Sequence, residues 1–354
     1  MKRKNATKAR VPRKLKGEGA AARSHPVVRV FSGKLPREKR KETLLEPGEP
    51  AEARPPIGRG ARGAVKLAAP LTAEQTRRRL RAIATSPSYL RAYEDIDFLK
   101  QPELRPVRLQ LELLKPEMIL QKENVRSTIV VFGGTRIVAR PEAQAKVDAL
   151  EARSRSKPKD PEIGRQLAVA RRVLDKSRYY DEAREFGRLV SMAGQNGGSA
   201  DYVIVTGGGP GVMEAANRGA YDVGAKSIGM NITLPHEQYP NPYITPELCF
   251  QFHYFAIRKM HLLLRAKALV AFPGGFGTLD ELFETLTLVQ TLKVKPLPVL
   301  LFGREFWNGV VKFQYLVDEG VIDPQDAGLF SMVETAEEAW RKICDFYGHR
   351  PKRR

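Results

Sequence analysis

Three short apolar runs, each followed at once by a cluster of glycines, constrain this chain more than any other feature. Runs of this kind are typical of strands that are buried on both faces of a parallel sheet. Helical patterns follow them, and strands that alternate with helices predict an α/β fold with a doubly wound, Rossmann-like parallel sheet and helices on both faces. The junctions are residues 128–132 with Gly133 and Gly134, residues 202–206 with the turn 207–211, and residues 268–272 with the turn 273–277.

Other parts of the chain complete this sheet. We expect the glycine turns to meet, because ligands bind doubly wound sheets at the carboxyl ends of the strands. The further predicted strands are residues 227–232, residues 298–302 as the last strand, and the aromatic residues 249–255; the main predicted helices are 179–193, 256–267 and one that includes Ala339, Trp340 and Ile343.

The third junction, residues 273–281, has the pattern P-G-G-x-G-T-x-x-E and predicts an anion site. Glycines let backbone N–H groups approach a ligand closely, and a helix N-terminus favours negative charge. Thr278 is predicted to be the N-cap, with Glu281 completing a capping box. The dinucleotide fingerprint is broken because Val212 and Asp280 stand where the third glycine should be, and no Walker lysine is present. A mononucleotide or a sugar phosphate therefore fits better than NAD or ATP.

Glu281 has two interpretations. It could be a capping carboxylate that stabilises the helix by about 1 kcal/mol, or it could face a sugar whose glycosidic bond is being broken. Arg258 could be a helix-surface charge, or it could orient a phosphate or a leaving base. Asp280 is expected to interact with the helix dipole. No metal site is predicted, because the five histidines show no H-E-x-x-H pattern and no Cys/His pairing. His253 and His261 are expected to pack or to form hydrogen bonds within the protein.

The positive charge is concentrated in one part of the chain. Residues 1–70 hold 19 Lys/Arg and 6 Asp/Glu, which gives +13 of the total +20. We predict a disordered arm that either makes weak contact with nucleic acid or acts as a solubilising tail. Two widely separated cysteines indicate a reducing, cytoplasmic setting, and the apolar runs are too short to predict a membrane span.

Two further parts of the chain follow the arm. Residues 71–125 are predicted to form a helical extension, which four prolines, Pro87, Pro102, Pro106 and Pro116, divide into short pieces. Residues 126–350 are predicted to form the Rossmann-like domain, with a helical insertion at about 141–177.

Three segments in this order resemble the LOG (Lonely Guy) family of nucleoside 5′-monophosphate phosphoribohydrolases. They are G-G-G-P-G-V-M-E-A-A-N at 207–217, Arg258 with Lys259, and the pattern at 273–281. The resemblance extends over residues 127–347. It implies hydrolysis of an N-glycosidic bond to free base and ribose 5-phosphate, with no metal or organic cofactor, by a homodimer or a larger homo-oligomer.

AMP or a related purine nucleotide is the leading substrate, and a cytokinin riboside 5′-monophosphate is the alternative substrate. The alternative to an enzyme is a non-catalytic nucleotide sensor. The resemblance also implies roles for individual residues. The expected catalytic pair is Arg258 and Glu281, the expected phosphate-binding residues are Gly274, Gly275, Gly277 and Thr278, and the expected nucleotide-binding residues are Gly133, Gly134, Gly208, Gly209 and Glu214.

Overall fold

The structure is a computed structural model that describes residues 69–195, 200–233 and 239–348. Nearly all of the predicted arm lies outside these residues. The chain divides into two units, Met1–Thr76 and Arg77–Arg354, and only residues 69–76 of the first are described. No helix in the described ranges combines the length and the apolar content that crossing a membrane requires.

The described residues form one parallel sheet with helices on both faces, as predicted from the sequence. Its strands are β1 Thr128–Phe132, β2 Val203–Thr206, β3 Ser227–Ile232, β4 Cys249–Phe252, β5 Ala266–Ala271, β6 Val299–Phe302 and β7 Phe330–Val333. Their spatial order is β4-β3-β2-β1-β5-β6-β7. The chain starts at β1, moves outward to β4, and returns to place β5 on the other side of β1. The carboxyl ends of β1 and β5 therefore form the topological switch point, where such sheets bind ligands.

Successive side chains of each strand point to opposite faces of the sheet, and this alternation gives one apolar layer on each face. Val130 and Phe132 of β1 pack into one apolar cluster, and Ile129 and Val131 pack into the other. In the described residues the α-helices are α1 Ala73–Ala84, α2 Ile96–Leu99, α3 Arg105–Lys122, α4 Arg140–Ser156, α5 Pro161–Asp175, α6 Arg178–Gly194, α7 Val212–Tyr221, α8 Phe255–Leu264, α9 Phe276–Gln290, α10 Arg304–Val310, α11 Phe313–Asp318 and α12 Ala336–Phe346. The first layer includes α3, α8, α9, α10 and α11, and the second includes α6, α7 and α12.

Three predicted boundaries were wrong. Residues 298–302 do not form the last strand, because β7 pairs with β6 beyond them. The strand predicted at 249–255 ends at Phe252, since α8 begins three residues later. The helix predicted to reach Lys267 ends at Leu264, because β5 begins at Ala266.

Pro116 lies inside α3 and does not end the helix, contrary to the prediction. A proline has no N–H to donate to the carbonyl four residues earlier, which here belongs to Glu112. The His261 side chain takes that position, with Nε2 3.2 Å from the Glu112 carbonyl oxygen. With its proton on Nε2, the His261 ring of α8 donates to this carbonyl the hydrogen bond that proline cannot make.

The segment predicted as an insertion contains α4 and α5, which pack against each other. Val147, Leu150 and Ala170 form their small apolar cluster, and Arg171 pairs with Glu151 at 2.9 Å. The predicted domain boundaries, including those of this insertion, stay predictions.

Candidate active site

The three glycine turns meet at the carboxyl edge of the sheet. The Gly134 N–H donates to the Pro273 carbonyl at 2.9 Å, and the Val212 N–H donates to the Gly134 carbonyl at 3.3 Å. Gly133 packs so closely that a Cβ on it would lie 2.6 Å from a Val212 methyl carbon. The turns after β1, β2 and β5 therefore form one continuous surface.

A buried hydrogen-bond network fixes the turn after β2. The Gly208 N–H donates to Thr206 Oγ1 at 3.0 Å, and the Gly208 carbonyl accepts the Asn241 N–H at 2.8 Å. Asn241 Nδ2 reaches the Gly209 carbonyl at 3.1 Å and Asn217 Oδ1 at 3.0 Å. Because both backbone groups of Gly208 have internal partners, this glycine shapes the site without a free hydrogen-bonding group.

Sequence reasoning missed Asn241. It lies in a loop rich in proline and asparagine, and nothing in its neighbourhood in the sequence indicates a buried contact with a turn more than 30 positions earlier. The only signal was the polar character of Asn217 within an otherwise apolar helix face.

The turn after β5 leads directly into α9, but Thr278 is not its N-cap. Gly275 is the N-cap residue, and a glycine has no side chain with which to cap the helix. Thr278 is only 4% exposed and packs over Gly274, where an added Cβ would lie 2.2 Å from Thr278 Oγ1. Gly275 and Gly277 have open space at their Cβ positions. These two glycines are accordingly the ones that a ligand could approach at the helix N-terminus.

Arg258 and Glu281 form a buried ion pair that joins α8 to α9. Arg258 Nη2 lies 2.8 Å from Glu281 Oε1, and the two residues are 7% and 2% exposed. Glu281 therefore does not complete a capping box, and Arg258 is not a helix-surface charge. A Cβ on Gly207 would lie 3.4 Å from Arg258 Nη1, so the pair adjoins the turn after β2.

The environment of this pair disfavours full ionisation. Burial raises the pKa of Glu281 to about 7, although the Arg258 and Lys259 charges oppose the rise. Burial also lowers the pKa of Arg258, against the effect of Glu281. A carboxyl group with a pKa near neutrality can accept a proton efficiently at physiological pH. Arg258 Nε is buried and lacks a hydrogen-bond partner among the described residues.

The charged residues around the pair are also connected. Lys259 Nζ contacts Asp280 at 3.0 Å and Glu284 at 3.1 Å. Asp280 is therefore an ion-pair partner. It was expected in the first turn of α9, interacting with the helix dipole, but it lies beyond that turn. Burial lowers the pKa of Lys259, but its bonds to Asp280 and Glu284 outweigh this and raise the pKa overall.

Glu214 bonds to a tyrosine of a neighbouring helix. Its Oε1 accepts a hydrogen bond from the Tyr180 hydroxyl of α6 at 2.9 Å. Burial raises the pKa of Tyr180 to about 12, so this hydroxyl stays a donor. The contact connects α7 to α6 and leaves the predicted nucleotide-binding role of Glu214 without direct geometric support.

The two histidines named from the sequence make protein contacts. His261 is buried, with Nδ1 3.2 Å from Glu117 Oε1, and burial lowers its pKa. Within the described ranges, no three His, Cys, Asp or Glu side chains group as metal ligands.

A family model, curated relatives and a solved structure show similarity to this chain. A family model described as "Possible lysine decarboxylase" matches residues 213–343. The chain is 31% identical to cytokinin riboside 5′-monophosphate phosphoribohydrolase LOG1 of Arabidopsis thaliana, over 49% of this chain and 78% of the relative. It is 30% identical to LOG3 of the same organism, over 48% of this chain and 77% of the relative. The X-ray structure of TM1055 aligns with a TM-score of 0.38 and 23% identity, over 62% of this chain and 99% of that one.

Proposed function

This chain belongs to the LOG (Lonely Guy) family of phosphoribohydrolases, and we propose that it hydrolyses nucleoside 5′-monophosphates, with AMP or a related purine nucleotide as the main substrate. The observation that supports this most is the buried pair of Arg258 and Glu281 beside an open glycine turn. A carboxyl group in the protein interior beside an anion-binding helix N-terminus suits a sugar phosphate whose ring carbon becomes positively charged.

We assign the parts of the site as follows. The 5′-phosphate binds at Gly275 and Gly277, where the first N–H groups of α9 lack partners within the helix. Glu281 takes a proton from water as the oxygen attacks C1′ of the ribose, and its negative charge stabilises the oxocarbenium-like transition state. The bond from C1′ to the base nitrogen breaks, and its electron pair leaves with the base, which takes up a proton. The products are free base and ribose 5-phosphate.

Arg258 has two functions in this scheme. It holds the Glu281 carboxylate in one orientation, and its remaining guanidinium N–H groups can donate to the substrate. The unpartnered Nε supports this assignment, because a buried donor without a partner is costly unless something binds it.

A cytokinin riboside 5′-monophosphate is the alternative substrate. The relatives named above are described as acting on such compounds. The phosphate and the ribose are the same as in AMP, so the same residues would serve, and the difference would lie where the base binds.

A decarboxylase, which the description of the matching family model names, is poorly supported by the site. Decarboxylating lysine requires pyridoxal phosphate bound to a lysine amine, and that amine must lose its proton to react. Lys259 is held by Asp280 and Glu284, which favour its protonated form. Absorbance of a bound pyridoxal group in the purified protein would contradict our assignment.

A substrate panel tests the proposal. The protein is incubated with AMP, GMP, CMP, UMP and an N6-prenylated AMP, and free base is measured. We expect release from AMP or its prenylated form. Tight AMP binding with no product over hours would instead favour a non-catalytic sensor.

Glu281→Gln tests the role of the carboxylate, since the amide oxygen can still accept a hydrogen bond from Arg258. We expect kcat to fall by roughly 100-fold or more, with AMP binding retained in calorimetry. Asp280→Asn is the control, because Asp280 is exposed and outside the pair; it should stay active. Full activity of Glu281→Gln would assign this residue a structural role only.

We also propose that the protein is a homo-oligomer that uses α8 as an interface. Phe255, Met260 and Leu264 on this helix are 51%, 39% and 53% exposed. A second copy of the chain could bury the same side chains in a symmetric contact.

A further inference from the structure

The helix that carries Arg258 begins without a cap of its own. His253 and Tyr254 are the only residues between β4 and α8. Tyr254 is the N-cap residue, and its side chain makes no capping bond. A strand that leads so directly into a helix leaves the backbone N–H groups of this connector in need of partners.

Glu112 of α3 supplies those partners from a distant part of the chain. Its Oε1 accepts the N–H of His253 at 2.8 Å, and its Oε2 accepts the N–H of Tyr254 at 3.1 Å. Both carboxylate oxygens are therefore used, one for each residue of the connector. A negative charge at a helix N-terminus is also favoured by the helix dipole.

Further contacts hold α3 along α8. The carbonyl of Glu112, left free by Pro116, lies 3.2 Å from His261 Nε2. Further along, Glu117 pairs with Arg265 just after the end of α8. The start, the middle and the end of α8 are thus each held by α3.

The connector is linked directly to the site. The Tyr254 carbonyl accepts the Arg258 N–H at 3.1 Å, and the Arg258 side chain reaches Glu281 at 2.8 Å. A change at Tyr254 would turn the first residues of α8 and move the guanidinium group. Because that group is buried, a small displacement would break its bond with Glu281.

We propose that Glu112 is a positioning residue: by holding the connector between β4 and α8, it orients Arg258 towards Glu281 and the substrate. Glu112 lies outside residues 213–343, to which the family model aligns, so this assigns a function to the N-terminal extension. The inference rests on the proposed function only in that Arg258 acts on a nucleotide.

The test compares Glu112→Gln with Glu117→Gln in the full-length protein. A glutamine keeps one acceptor oxygen and turns an NH₂ group towards the other N–H, so the connector loses one bond. Glu117→Gln is matched, because it removes the same charge from the same helix and weakens contacts with His261 of α8 and with Arg265 just after α8, and not with the connector. We expect kcat for the best nucleotide of the panel to fall roughly 10-fold or more in Glu112→Gln, and to change less than 3-fold in Glu117→Gln.

Two readouts separate positioning from general destabilisation. Hydrogen exchange should become faster at the amides of His253 and Tyr254 in Glu112→Gln but not in Glu117→Gln. The acid limb of kcat/KM should also move to higher pH in Glu112→Gln, because a displaced Arg258 lowers the pKa of Glu281 less. The other charged groups that influence the pKa of Glu281 are Lys259, Asp280 and Glu284, and neither substitution changes them.

Equal losses of kcat in the two variants, or unchanged exchange at the connector in Glu112→Gln, would overturn the inference. A wild-type protein that releases no base from any nucleotide would contradict the proposed function instead. The exchange measurement would then still decide whether Glu112 holds the start of α8.

Discussion

At the scale of single residues, the ionisation of Glu281 should control the reaction. Burial raises its pKa to about 7, so this carboxyl group changes its protonation state near neutral pH. Because burial has raised this pKa, the carboxylate is lost as pH falls below about 7. We therefore expect kcat/KM for AMP to decrease about tenfold for each pH unit below about 6.5.

Neighbouring charges should move the acid limb of the pH profile of kcat/KM, and opposite charges should move it in opposite directions. The Asp280 charge raises the pKa of Glu281 and the Lys259 charge lowers it. Asp280→Asn should therefore shift the limb to lower pH, and Lys259→Met should shift it to higher pH. The phosphate monoester of AMP also titrates near pH 6. Its contribution is the same for the wild type, Asp280→Asn and Lys259→Met, so it cancels in the comparison. Identical limbs in the three proteins would rule out Glu281 as the titrating group.

Single residues of the site were predictable only where a linear pattern contains them. Arg258 and Glu281 each stand in a motif, but their bond to each other depends on how α8 packs against α9. The same limit applies to Asn241 and Glu112, whose partners are distant in sequence and are brought close by the fold alone.

At the scale of elements, the glycines of the turn between β5 and α9 differ in how closely other side chains pack against them. Gly274→Ala would place a Cβ 2.2 Å from Thr278 Oγ1 and force the first turn of α9 to move. We expect this substitution to lower the free energy of unfolding by roughly 1–3 kcal/mol, and so the melting temperature, and to impair activity. Gly277→Ala meets none of the described atoms within 4 Å beyond its chain neighbours and its own helix backbone. Because alanine favours a helix more than glycine does, it should keep or raise the melting temperature, and it should raise KM if the phosphate binds there.

Thermal melts and Michaelis kinetics on both variants check this contrast. A Gly277→Ala protein with wild-type KM would contradict the assignment of the phosphate site to this turn. A stable, active Gly274→Ala protein would show that the Thr278 side chain can shift without cost.

Elements with strong patterns were predicted well from the sequence. The buried strand at 128–132 was predicted with the bounds it has as β1. The short edge strand β7 was missed, because three of its four residues are only partly buried and its pattern is weak. The start of α9 was predicted too late, since Gly275 caps it and offers no side chain to identify it.

At the scale of the whole molecule, the alternation of strands and helices predicted the doubly wound sheet. It did not predict which strands adjoin at the switch point, because strand order depends on the paths of the connections. The arm at residues 1–70 lies almost entirely outside the described residues, and its contact with nucleic acid stays a prediction.

Assembly is the remaining property at this scale, and it depends on the exposed side chains of α8. Leu264 is the last residue of α8 and is 53% exposed, and a charge placed there would be buried without a partner inside the proposed contact. Leu264→Glu should therefore dissociate the protein, while Val321→Glu, at a residue that is 66% exposed and outside α8, should not. Light scattering coupled to size-exclusion chromatography measures the masses, and we expect at least twice the monomer mass for the wild type and for Val321→Glu, and the monomer mass for Leu264→Glu. A monomeric wild type would contradict the assembly, and dissociation by both variants would contradict the assignment of its interface to α8.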